Sequence, residues 1–123
     1  MNVQLSAAQV AELVTTTLTK REKLLHLARI LRGAPIHLFM FSNVEYMSAI
    51  DKQMTSHPYS AFALAAADPI LKDAGLTGSS VADGERFFEL TRDELHAFSC
   101  DCGGHISNDQ MARRVDAIAA RNT

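Results

Sequence analysis

Between positions 96 and 105 the chain reads HAFSCDCGGH, so His96, Cys100, Cys102 and His105 bring two imidazoles and two thiols into one decapeptide. Two thiolates and two neutral imidazoles form the tetrahedral donor set that suits zinc. In a helix starting after Thr91, His96 and Cys100 stand four residues apart and share a face. Gly103-Gly104 then allows a sharp reversal that returns His105 toward them. Three features oppose this zinc reading. All four groups lie in one segment rather than in two pairs from separate elements. C-x-C is a rarer chelating corner than C-x2-C, and Asp101 between the thiols opposes the deprotonation that metal binding needs.

A reactive thiol is the second chemistry these residues allow. Cys100 falls at the end of the expected helix, where the dipole disfavours a thiolate, so His96 or His105 must act as base or ion-pair partner. Redox sensing by Cys100 and Cys102 requires a strained ring across one residue. The third reading is packing alone: inert thiols, an imidazole hydrogen-bonded at its helix end, and a glycine stop. It needs no further assumption and is the reading adopted.

Other polar residues give weaker signals. Glu22 with His26, and Asp51 with Lys52, read as solvated helix-surface groups rather than acid–base pairs. His37 sits inside IHLFMF and reads as a core or interface histidine. The glycines between 75 and 84 match no phosphate-binding pattern. Met47 and Met54, seven apart, suit an adaptable apolar surface.

The elements that must position these residues announce themselves by their starts. Four times a Ser or Thr precedes Glu or Gln by three residues: Thr19 with Glu22, Ser42 with Glu45, Thr91 with Glu94, and Ser107 with Gln110. That spacing satisfies two backbone donors at a helix N-terminus reciprocally. The pattern predicts helices over 7–18 (Ser6 as cap), 20–33, 43–54, 61–67 (Ser60 as cap), 69–74, 81–90 in part, 92–99 and 108–120. Apolar stripes at helical period support the longer ones: Leu24, Leu27, Ala28 and Leu31 in one, Met111, Val115 and Ile118 in another. Gly33, Pro35, Gly75 and Gly103-Gly104 supply the stops. Residues 36–41 are ambiguous. No similar segment exists to pair with them as a strand, and a lone strand leaves backbone groups unsatisfied. They read as loop or short helix, or as a strand that pairs with a second copy.

The expectation is therefore an all-α domain spanning 1–123, a compact orthogonal bundle of six or seven short helices. Hydrophobic residues make up 47% and charged residues 21% of the 123, a globular balance. A net charge of -2 offers no basic surface to a phosphate backbone, so nucleic acid is not an expected partner. No apolar run spans a bilayer and no signal peptide is evident, so membrane is excluded and the cytoplasm expected. The function expected is a non-enzymatic interaction or binding module that self-associates or binds another protein, without a cofactor. The alternatives are a zinc protein using His96, Cys100, Cys102 and His105, and a cysteine-dependent enzyme or redox sensor.

Overall fold

The computed structural model describes residues 18–34, 36–100 and 103–122. The helix expected over 7–18 falls, but for Leu18, outside the described residues, as does Cys102. Helix α1 (Lys20–Gly33) opens with a complete capping box. The Thr19 hydroxyl accepts from the Glu22 N–H at 3.1 Å, and Thr19 N–H donates to Glu22 Oε1 at 2.9 Å. Its buried residues are the four of the sequence stripe, Leu24, Leu27, Ala28 and Leu31.

Strand β1 (His37–Ser42) follows, then a 3-10 turn (Val44–Tyr46) and α2 (Ala49–Met54). Next come α3 (Ala61–Ala67), α4 (Pro69–Asp73), α5 (Val81–Phe87) and α6 (Arg92–Leu95). A second 3-10 turn (His96–Phe98) leads into β2 (Ser99–Cys100), β3 (Gly104–Ser107) and α7 (Asn108–Ala120).

The all-α expectation is wrong. The fold is α+β: seven helices among the described residues, which matches the expected number, around a three-stranded mixed sheet of order β2-β1-β3. Residues 36–41 are neither loop nor short helix but supply the central strand. β1 pairs in parallel with β2, Phe41 beside Ser99 and Ser42 beside Cys100. It pairs antiparallel with β3, from His37 beside Ser107 to Met40 beside Gly104. The partners were hidden in the segment read as a possible metal turn. Ser-Cys and Gly-His-Ile-Ser carry little strand propensity of their own, and pairing to an apolar neighbour overrides it. Each partner is also very short. On the β2 side, the Phe39 N–H that β2 is too short to reach donates to Tyr59 O at 2.9 Å. Gly103 and Gly104, at φ +75° and +131°, make the backbone reversal into β3 that a side chain would strain.

α1 lies along α7 in the most extensive helix contact among the described residues, and α7 buries Met111, Ala112, Val115, Ile118 and Ala119. Asn108, at the start of α7, fastens the pair by donating from Nδ2 to the carbonyls of Leu31 and Arg32 at 3.0 and 3.3 Å. On the other side of the core, Phe62 stacks on Phe98 with ring centres 4.7 Å apart, and Phe88 lies 6.4 Å from Phe62. Among the described residues, no helix is long and apolar enough to cross a membrane.

Candidate functional site

The helix expected over 43–54 breaks into the 3-10 turn and α2, and that break creates the site. Asn43 takes the cap position in the left-handed region, φ 49°, with no side-chain cap. Glu45 is therefore not the far half of a capping box with Ser42. Ser48 starts α2 instead, accepting from the Asp51 N–H at 3.1 Å. Glu45 is freed to turn inward, where it is only 8% exposed.

The chain satisfies this buried carboxylate with two groups from the far end of the sequence. Ser99 donates its hydroxyl to Oε1 at 3.0 Å, and His96 Nδ1 meets Oε2 in a short hydrogen bond. Burial pushes the Glu45 carboxyl up, but the backbone and side-chain hydrogen bonds, His96 and Ser99 among them, outweigh it and hold the group below the usual carboxylate range. Glu45 is thus an ionised, buried acceptor at neutral pH. The His96 side chain is about half exposed at 54% and lies on a pocket of about 350 Å³ lined by Glu45, Tyr46, Arg92, Asp93 and His96. The Arg92 guanidinium lies over the Tyr46 ring, 4.6 Å from its centre.

A carboxylate that fixes an imidazole is the arrangement used to orient a general base or a ligand-binding ring. Ser99 does not extend it into a nucleophilic triad. Its hydroxyl is buried and bonds the carboxylate, with the His96 carbonyl at 3.4 Å, rather than the imidazole ring.

Of the candidate residues in the HAFSCDCGGH segment, the described ones, His96, Cys100 and His105, divide between two pockets. α6 ends at Leu95, and the chain passes through a 3-10 turn into β2. His96 and Cys100 therefore do not share a helix face, which was the premise of bringing them together. Cys100 and His105 both line a second pocket, of about 370 Å³, with Met40, Ile106, Gln110, Arg113 and Arg114. Cys100 is a free thiol and donates to the Gly103 carbonyl, Sγ to O 2.8 Å. Among the described residues, no three His, Cys, Asp or Glu side chains gather as metal ligands would.

Polar residues read as solvated also have partners. Lys52 pairs with Glu85 at 3.0 Å, and His26 Nε2 lies 2.9 Å from Asp68 Oδ2, which caps α4 as well. Glu45 was missed because the spacing rule assigned it to a cap. Tyr46 and Arg92 were missed because only folding joins positions 46 and 92.

A second surface begins at Tyr46. It is 70% exposed, and α2 buries none of its residues: Ile50 is 71% and Met54 81% exposed. Four residues apart, Ile50 and Met54 share one face of the helix. Comparison with known proteins finds no matching family model, no matching curated protein and no matching solved structure.

Proposed function

We propose that this chain is a non-enzymatic interaction module that pairs with a second copy of itself through the Tyr46, Ile50 and Met54 surface. The observation that carries the reading is α2, a capped and ion-paired helix that adds no buried residue to the core of the described residues. Single exposed apolar residues are ordinary, but three large ones between positions 46 and 54 form a surface that association would remove from water. A short helix face is self-complementary about a two-fold axis, each Ile50 meeting the other copy's Met54. A net charge of only -2 sets little long-range repulsion against the approach. The reducing cytoplasm is the matching location, in keeping with the free thiol of Cys100.

Light scattering at micromolar concentration tests this. A dimer or larger species is expected, and Ile50→Asp combined with Met54→Asp should return it to a monomer with an unchanged circular dichroism spectrum. A wild-type chain that stays monomeric at high micromolar concentration would overturn the reading. The zinc alternative retains one support, the shared pocket of Cys100 and His105. Elemental analysis of the purified protein checks it, and a small fraction of an equivalent of metal would end it.

A further inference from the structure

We propose that the pocket framed by Glu45, Tyr46, Arg92, Asp93 and His96 binds a free α-amino acid, a carboxylate with an ammonium group beside it. An ionised carboxylate such as Glu45 only accepts hydrogen bonds, so the ring nitrogen facing it, Nδ1, carries the proton. In the neutral ring, Nε2 then keeps its lone pair, and the half-exposed ring that lines the pocket can offer it as an acceptor. Arg92 supplies the opposite function. Its guanidinium rests on the Tyr46 ring and, among the described residues, pairs with no carboxylate. A guanidinium held by its face keeps its N–H edge for an in-plane carboxylate, the bidentate geometry that arginine favours.

Charge narrows the ligand. Glu45 and Asp93 put two carboxylates on a pocket with one guanidinium. A phosphate dianion would be repelled, and a simple carboxylate would use Arg92 but leave the acceptors without a donor. A simple ammonium ion would meet the acceptors and leave Arg92 unused. A zwitterion answers both sides: carboxylate to Arg92, ammonium to His96 Nε2 and the flanking Asp93. The pocket, about 350 Å³, admits a molecule of that size together with a side chain. The pocket shares Tyr46 with the proposed self-association surface, but the groups that would hold the ligand are Arg92, Asp93 and His96 rather than Ile50 and Met54.

Nuclear magnetic resonance titration of the whole chain tests it, with L-alanine, acetate, methylammonium and inorganic phosphate as separate probes. L-alanine should shift the His96 Cε1–H and Arg92 Nε–H resonances saturably, and the other three should bind about tenfold more weakly or less. Arg92→Ala and His96→Asn, on exposed side chains, should each weaken L-alanine about tenfold while the remaining amide spectrum stays dispersed. In the free protein, the ring nitrogen shifts of His96 should show a protonated Nδ1 and a bare Nε2. Absence of a saturable shift at His96, equal binding of acetate or phosphate, full affinity in Arg92→Ala, or the opposite tautomer would overturn the proposal.

Discussion

Glu94 shows how much one side chain can hold. Its Oε1 accepts from the Thr91 N–H at 2.9 Å, completing a capping box, and from Lys20 Nζ at 2.6 Å. Its Oε2 accepts from Asn122 Nδ2 at 3.0 Å. One carboxylate therefore ties the start of α6 to the start of α1 and to the residues just beyond α7. Burial raises its pKa, yet the Lys20 ammonium and the Thr91 and Asn122 donors outweigh that and lower it to about 2. Below an unfolded value of 4.5, a lowered folded value means stability that is complete above about pH 4.5 and lost as pH falls toward 2. The linkage is worth on the order of 3 kcal/mol. Glu94→Gln should lower the urea midpoint at pH 7, and its deficit against wild type should shrink steadily between pH 4.5 and 2. A deficit constant with pH would assign Glu94 a role of shape rather than charge. The sequence exposed this residue through its cap spacing, but the same spacing concealed Glu45. The difference is that residues 43–46 form a 3-10 turn with a left-handed entry, so the acid has no cap to serve and finds His96 and Ser99 instead. His96 was visible as a chemical residue, yet paired with the wrong neighbours. Its real partner lies 51 positions away, and nothing in local spacing encodes that.

At the level of elements, the two longest helices, α1 and α7, which announce themselves by both cap and stripe, are present where the spacing places them. α1 and α7 bury the residues their periodicity selects. One box escaped the rule because Asp does the work of Glu. Ser80 caps α5 and Asp83 reaches back to it, a shorter acid in the same geometry. The strands escaped because sheet pairing is a property of two segments, and only one of them is apolar. Gly84 stands in the middle of α5, where a glycine ordinarily weakens a helix. In the fold it is a contact surface: a Cβ there would stand 2.3 Å from a ring carbon of Phe62 on α3. Gly84→Ala should therefore destabilise by about 1–3 kcal/mol through overpacking, against a helix-propensity gain of about 1 kcal/mol. Thermal unfolding followed at 222 nm measures the sign. A raised melting temperature would mean that α3 and α5 can separate without cost.

For the molecule as a whole, the decisive contacts join distant parts of the chain. α1 is covered by α7, β1 is flanked on both edges by strands from 99–107, and the Glu45 carboxylate is satisfied from 96–99. The residues after position 98 thus complete the core, the sheet and part of the candidate site together. Compositional and periodic signals describe each segment in isolation, which is why they deliver helices and fall short of the topology. The same architecture predicts how the chain fails. A version ending at Phe98 keeps α1, but exposes the Leu24, Leu27 and Leu31 face that α7 covers and leaves β1 without strand partners. Helices as short as α2 to α6 are not stable alone in water. That version should lose its cooperative thermal transition and its dispersed amide spectrum, rather than melt as a smaller intact domain. The check is a pair of circular dichroism melts, full length against 1–98, at matched concentration. A sharp transition in the shorter chain would show that residues 1–98 hold a core of their own, and that α7 and the sheet are additions to it.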